Sequence, residues 1–245
     1  MKVSIVTPTY NSAQYIVDTY NSIRAQTYSD WEWLVVDDQS TDATYEIIQG
    51  LVNSDSRIRA FKNTQNLGAG LSRNVAIENS NGRFIAFLDS DDLWLPTKLA
   101  EQVDFMFKNN YAFTYTQYQK FNCIGELGVV MSRASVTYEQ LLFSNVIGCL
   151  TVIYDTDIVG KVFMPSIRKR QDMATWLTIL KMVPRAYCLG KVLAMYRIDS
   201  GMTSDKTKVL QSQWVFYRNY LGFNFVKACI YFGAYVVMGV AKTIK

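Results

Sequence analysis

Phe84-Ile85-Ala86-Phe87-Leu88-Asp89-Ser90-Asp91-Asp92 is an apolar run that ends abruptly in three carboxylates. A short apolar run closed by polar residues reads as a strand buried on both faces. Carboxylates crowded at its end repel one another and resist desolvation unless a cation neutralises them, and hard divalent cations prefer all-oxygen ligation. The stretch therefore reads as a metal–diphosphate site, and a sugar nucleotide is the ligand such a site suits. Asp89 and Asp91 are two residues apart, so in an extended segment both face one side and address one cation, while Asp92 turns elsewhere. Helix capping accounts for one Asp ahead of the helix expected to begin near Leu95-Pro96, and hardly for three.

Working outward, strand-like runs recur at Val3 to Thr7, Trp33 to Val36, Ile58 to Phe61 and Ala112 to Tyr115. The gaps between the first four strands have helical lengths and periodicities. Ile16, Tyr20 and Ile23 follow Asn11 and Ser12, good N-cap residues, and Tyr45, Ile48 and Leu51 follow Ser40-Thr41-Asp42. Alternating elements of this kind imply an α/β fold, a mainly parallel sheet covered by helices on both faces, with ligands bound beyond the carboxyl ends of the strands. Four polar loops share that edge: Thr7-Pro8-Thr9-Tyr10-Asn11, Asp37-Asp38-Gln39-Ser40, Asn66-Leu67-Gly68-Ala69-Gly70, and Asp89 to Asp92. From about Asn122 onward the periodicity weakens, and Gly125, Gly128 and Gly148 interrupt it. That half is expected to build the acceptor side.

Composition removes whole classes of chemistry. The 245 residues contain no histidine, which excludes Ser-His-Asp triads, His-ligated metals and imidazole bases. Cys123, Cys149, Cys188 and Cys229 are widely spaced with no CxxC pair, which fits reduced cytosolic thiols and speaks against zinc. The N-terminal apolar run meets Pro8 too soon for a secretory signal, so a cytoplasmic location is expected. Gly68-Ala69-Gly70 has Arg73 where a dinucleotide fingerprint needs its third glycine, and it follows the third strand, which rejects a Rossmann oxidoreductase. A sugar-1-phosphate nucleotidyltransferase would need a glycine-rich basic loop after the first strand, and Thr7 to Asn11 has neither feature. No nucleic-acid partner is expected.

Three positions keep two readings each. Arg73 suits a nucleotide's phosphates or base, or a surface salt bridge. Asp172, after Arg168-Lys169-Arg170-Gln171 and ahead of Trp176, Leu177 and Leu180, is on its own better read as a helix cap. Tyr196-Arg197-Ile198-Asp199-Ser200-Gly201-Met202-Thr203-Ser204 closes over a bound diphosphate or is a plain surface loop. The net charge of +4 is concentrated in the tail: from Lys206 onward there are six basic residues and no acidic one. The uncharged run from Ala228 to Ala241 is shorter than the roughly 20 residues that span a bilayer. The tail is expected either to lie on an anionic membrane surface or to pack as a helix on the domain.

Taken together, these pieces resemble the inverting glycosyltransferases of family 2, with the GT-A fold. The likeness is dense in Val3-Ser4-Ile5-Val6-Thr7-Pro8-Thr9-Tyr10-Asn11, Gln26-Thr27-Tyr28 ahead of Trp33, Val36-Asp37-Asp38-Gln39-Ser40-Thr41-Asp42, Asn66-Leu67-Gly68, Ser72-Arg73-Asn74 and Gly82-Arg83 through Asp92. Further on it reduces to Gln171-Asp172 with Trp176-Leu177, and Tyr196-Arg197 with Thr203-Ser204. The resemblance implies that Pro8, Thr9 and Tyr10 lie along the nucleoside, with Asp38 at the uracil edge, Arg73 near the nucleotide and Ser90 beside it. It implies that Asp89-Ser90-Asp91 is the DxD element, Asp91 being the direct ligand of Mn²⁺ or Mg²⁺ and Asp89 touching ribose or the metal shell. Asp172 matches the catalytic base, and Arg197 falls where positive charge meets the departing diphosphate. Gln171 stands where the family often has Glu, and Asp199 where it often has His. The expected organisation is a glycosyltransferase domain over 1–205, with a Rossmann-like nucleotide-sugar half at 1–110 and an acceptor half at 111–205, followed by a basic aromatic helical extension at 206–245. The expected reaction transfers a hexose, glucose or galactose, from a UDP-sugar to a saccharide acceptor linked to a lipid diphosphate, in bacterial surface polysaccharide synthesis at the membrane's cytoplasmic face. The competing expectation is a catalytically silent nucleotide-sugar-binding subunit.

Overall fold

In the computed structural model, which describes residues 1–198 and 206–243, the apolar stretches condense into a single sheet. The first half alternates strand and helix: β1 (Val3–Thr9), α1 (Ile16–Arg24), β2 (Trp31–Asp37), α2 (Thr44–Ser54), β3 (Ile58–Lys62), α3 (Ala69–Asn79) and β4 (Phe84–Phe87). A two-residue strand β5 (Leu93–Trp94) and helix α4 (Lys98–Asn109) lead into the second half. There follow β6 (Phe113–Phe121), β7 (Glu126–Val130), β8 (Ser135–Val136), α5 (Tyr138–Phe143), β9 (Ile153–Asp155), α6 (Thr156–Val159), α7 (Gln171–Ile179) and β10 (Ala186–Arg197). The tail folds as α8 (Lys206–Val215), a π-helical segment over Phe216–Tyr220, and α9 (Phe225–Thr243).

Strand order is β3-β2-β1-β4-β9-β6-β10-β5, with β7 beside β6 and β8 beside β10. Strands β1 to β4 are parallel, Val3 pairing with Trp31 and Phe84, and Trp33 with Ile58. The period of two places alternate residues on opposite cores. Val3, Ile5, Trp33, Val35, Phe84 and Ala86 face α1, α2 and α4, whereas Val6, Leu34, Val36, Ile85 and Phe87 face α3, α5 and α7. The second half is mixed: β9 runs antiparallel to both β4 and β6, while β10 runs parallel to β6 with register shifts around Val192. Those shifts, and strands as short as two residues, are why the periodicity of that half was faint in the sequence.

Two local expectations are corrected. The helix after the carboxylate run begins at Lys98, because Leu93-Trp94 first pairs with Met195 and Ala194 of β10. Asn11 and Ser12 do not cap α1, whose cap residue Tyr15 makes no side-chain cap bond. Their polar atoms instead stitch the first loop to the second: Thr41 N–H donates to Asn11 Oδ1 at 2.8 Å and Ser12 N–H to Thr44 Oγ1 at 2.7 Å.

The tail packs on the domain. Tyr231 lies 4.8 Å from Phe143 between ring centres, and the Tyr217 hydroxyl donates to Leu142 O. Its other face is open: Phe225, Val226, Ile230 and Val237 are each more than 60% exposed. The packing expectation for the tail is thus met on one face of α9, and the other face carries exposed apolar residues. Among the described residues no helix is long and apolar enough to cross a membrane.

Candidate functional site

The parallel strands deliver their loops to one edge, and polar bonds fix those loops to each other. Pro8 and Thr9 end β1 and are buried, whereas Tyr10, half exposed, opens the edge to solvent. Thr9 O accepts from Asp38 N at 2.8 Å, and Thr9 Oγ1 is buried without a partner. Asp38, 2% exposed, accepts from Asn63 Nδ2 and from the backbone N–H of Leu67 and Gly68, all at 2.7–2.8 Å. Gly68 has φ of +86°, a conformation that lets both amides point at one carboxylate. Asp38 therefore fixes the loop that opens α3.

Beyond β4 the chain does not stay extended. Asp92 N–H donates back to Asp89 O at 3.2 Å, so Asp89 to Asp92 form a turn and not the extended segment on which the same-side expectation for Asp89 and Asp91 rested. Ser12 and Ser90 hydroxyls meet at 2.8 Å, and the Thr19 hydroxyl reaches the carbonyls of Ser90 and Asp92 at 3.0 Å. Asp92, expected to face elsewhere, points inward: it is 1% exposed, Oδ1 accepts from Arg197 N at 2.9 Å, and Oδ2 has no partner. Burial, with the charges of Asp89 and Asp91 adding to it, pushes the Asp92 carboxyl well above the usual carboxylate range.

Two arginines brace the turn. Arg197 Nε donates to Asp91 O at 2.9 Å, and its guanidinium sits over Tyr15 and Phe121 at 4.5 and 4.4 Å. The pairing brings residue 197 onto a loop over a hundred positions earlier. Asp199, Thr203 and Ser204 lie outside the described residues. Arg73 forms an ion pair with Asp89 and is only 5% exposed, so the surface salt bridge weighed for it is a buried one. Burial works against the Arg73 charge, yet Asp89 at hand and Asp172 farther off more than offset it, and the guanidinium is held above its ordinary value.

Asp172 does not cap its helix. The cap position of α7 is Arg170, in the left-handed region at φ +65°, and no side-chain cap bond forms there. Asp172 Oδ2 instead accepts from Asn145 Nδ2 at 3.1 Å. The amide of Gln171, oriented to satisfy its surroundings, accepts from Gly70 N and Arg73 Nη1 at 3.2 Å and donates to Ile167 O at 2.8 Å. A Cβ on Gly70 would stand 2.7 Å from that amide, so glycine is what lets α3 approach α7. Asp89, Arg73 and Gln171, the neighbour of Asp172, thus form one chain of contacts joining the carboxylate turn to the start of α7. Sequence reasoning missed Asn145, Ser12 and Thr19: a lone Asn in a loop and hydroxyls near a helix start carry no pattern that sets them apart.

The donor set fits a hard divalent cation. The candidate ligands are carboxylate oxygens, the donor type such cations take, and Asp91 is partly exposed. Among the described residues no three His, Cys, Asp or Glu side chains converge to hold an ion.

The description "Glycosyl transferase family 2" belongs to the family model that matches residues 4–153. TuaG of Bacillus subtilis, a glycosyltransferase assigned to teichuronic acid biosynthesis, is 39% identical over 98% of this chain and 96% of its own length. WfgD of Escherichia coli, named as a UDP-Glc:α-D-GlcNAc-diphosphoundecaprenol β-1,3-glucosyltransferase, is 37% identical over 98% of this chain and 94% of its own. Among solved structures, S. aureus TarS in complex with UDP-GlcNAc superposes with a TM-score of 0.73 at 23% identity, covering 96% of this chain and 72% of that one. The mannosyltransferase PcManGT of Pyrobaculum calidifontis, solved with GDP-Man and Mn²⁺, gives 0.67 at 16% identity, covering 98% and 75%. The fold is of the GT-A type.

Proposed function

The chain belongs to glycosyltransferase family 2 and is an enzyme that transfers sugars, and on that premise we propose that it moves a hexose, glucose first, from a UDP-sugar to a saccharide linked to a lipid diphosphate. The observation that carries this reading is the contact chain from Asp89 through Arg73 to Gln171, which joins a donor-type carboxylate turn to the neighbour of the candidate base Asp172. The glucosyltransferase relative, alike over nearly the whole chain, supports the donor and the acceptor class.

In this reading Pro8, Thr9 and Tyr10 flank the nucleoside and Asp38 sets the shape of the loop at the base edge. Asp91, with Asp89 beside it, would hold Mn²⁺ or Mg²⁺, and the mannosyltransferase neighbour's Mn²⁺ supports that class of cation. The cation supplies neutralisation of the charge that grows on the leaving diphosphate. Arg197 adds positive charge on the same side, and Ser90 keeps the turn closed through Ser12. Asp172 accepts the proton of the acceptor hydroxyl as its oxygen bonds to the anomeric carbon and the bond from that carbon to the phosphate oxygen breaks. Attack from the face opposite the diphosphate inverts the configuration. The open face of α9, with Lys227 on the same helix, lies on an anionic membrane where a lipid-linked acceptor is found, at the cytoplasmic side.

UDP release from a panel of UDP-hexoses and UDP-N-acetylhexosamines, with Mn²⁺ or EDTA, tests this. Metal-dependent release from one hexose donor is expected, and Asp91→Ala should abolish it. Asp172→Asn should still bind UDP while transfer falls by about 10²-fold or more. Undiminished transfer by Asp172→Asn would remove that residue from the role of base.

A further inference from the structure

Immediately before the base helix, Ile167, Arg168 and Lys169 form one wall of a cleft of about 440 Å³ whose other wall is α8 and the π-helical segment. Lys208 adds a third cation, no carboxylate is among the described lining residues, and Phe216 and Tyr220 give the cleft an apolar floor. Helical π segments are rare and concentrate at functional sites. A second cleft, of about 460 Å³, shares Gln211 and Val215 with the first and continues over Leu210 and Trp214 to Phe232 of α9. Cations at one end and a mainly apolar path over Leu210, Trp214 and Val215 to Phe232 describe a seat for an anionic head carrying an apolar chain.

The seat is held close to the chemistry. Arg170 Nη2 donates to the Tyr235 hydroxyl at 2.9 Å and reaches Val209 O at 3.5 Å, so α8 and α9 are tied to the first residue ahead of α7. Arg168 is four residues from Asp172, a chain span of at most ~14 Å. One sugar residue and its phosphate bridge such a span.

We propose that this double cleft binds the polyprenyl diphosphate of the acceptor, with the diphosphate on Arg168, Lys169 and Lys208 and the prenyl chain crossing Val215 toward Trp214 and Phe232. The assignment rests on the reading that the acceptor is linked to a lipid diphosphate, and it adds where that carrier sits. Neither cleft is lined by Asp172 or by Asp89 to Asp92, so donor and acceptor diphosphates are bound by separate sets of charges.

Titration calorimetry of the full chain with farnesyl diphosphate and with inorganic pyrophosphate, the donor site being filled by UDP and Mg²⁺, tests the assignment. Arg168 and Lys169 are exposed, so the double variant Arg168→Gln/Lys169→Gln is expected to fold as the parent does, checked by thermal melting. It should bind both probes about tenfold more weakly. Val215→Asp, also at an exposed position, should lose affinity for farnesyl diphosphate while pyrophosphate binding holds. Farnesyl diphosphate binding that is absent from the parent protein, or equal in the parent and both variants, overturns the assignment. Parent protein that releases UDP from no UDP-hexose, yet shows the expected probe binding, would overturn the functional reading and leave the cleft standing as an isoprenoid diphosphate site.

Discussion

Arg73 is buried opposite a half-exposed Asp89, and the pair is better understood as placing charge than as adding stability. A buried ion pair is often no more stable than an apolar replacement, yet removing one partner costs about 3–5 kcal/mol, because the other charge is left stranded. Arg73 has a second contact, since the same guanidinium touches Gln171 beside the proposed base Asp172. Asn145 plays the complementary part by holding Asp172 Oδ2. Replacing it by Ala should lower the turnover rate by about tenfold through a less confined base, an effect of proximity and orientation, with the KM for the donor sugar unchanged. Steady-state kinetics checks this, and a rise in donor KM instead would assign Asn145 to the donor side. At this scale the sequence was legible where a residue had no inexpensive alternative: three carboxylates at a strand end signal a ligand. It was mute where meaning depends on a distant partner. Nothing near Asn145 announces Asp172, and the burial of Arg73 follows from how α3 meets β4 and α7, not from its neighbours in sequence.

Helix α4 shows a local rule overridden by its surroundings. Lys98 opens it, where a positive charge opposes the helix dipole, and is fully buried with its Nζ lacking a hydrogen-bond partner, 3.7 Å from the centre of the Trp94 ring. A charged amine over a desolvated ring gains about 2 kcal/mol, less than complete desolvation costs. Burial therefore wins and holds the Lys98 amine well below its usual range. The sign of the pH dependence follows. The unfolded chain binds a proton that the native state lacks, so this side chain weakens the fold below its unfolded value, and the penalty shrinks as pH rises toward that value. Lys98→Met should raise stability by about 1–2 kcal/mol at pH 7, with the gain fading above pH ~10. Chemical denaturation at several pH values measures it, and a loss of stability at pH 7 would mean that the amine keeps its charge on the ring. Elements in the first half were legible because each strand and helix repeats its apolar period over several residues, as at Ile16, Tyr20 and Ile23. Strands β5 and β8, two residues each, are too short to show any period and exist only because β10 pairs with them.

Across the whole molecule, the tail joins the two faces of the proposed activity. Its inner face, with Ala228 and Tyr231, belongs to the domain core, so deleting it would unsettle the fold as well as any membrane contact. Charge on the outer face separates the two: Val226→Asp/Ile230→Asp should melt within a few degrees of the parent and lose binding to anionic vesicles. Unchanged sedimentation with vesicles would sink the membrane role. The overall α/β layering was legible because parallel strands buried on both faces leave long apolar runs, whereas the insertion of β9 between β4 and β6 was not, since it joins segments far apart in the chain. That insertion bears on synthesis. Until Ile153 to Asp155 leave the ribosome, the growing chain holds a finished parallel sheet whose β4 edge, Phe84 to Ala86, has no neighbour, and β6 waits with the same vacancy. An apolar unpaired edge recruits other strands, so translation that stalls, or an expressed fragment that ends, before residue 153 yields a sticky nascent chain, and three short residues decide when the product becomes safe to release.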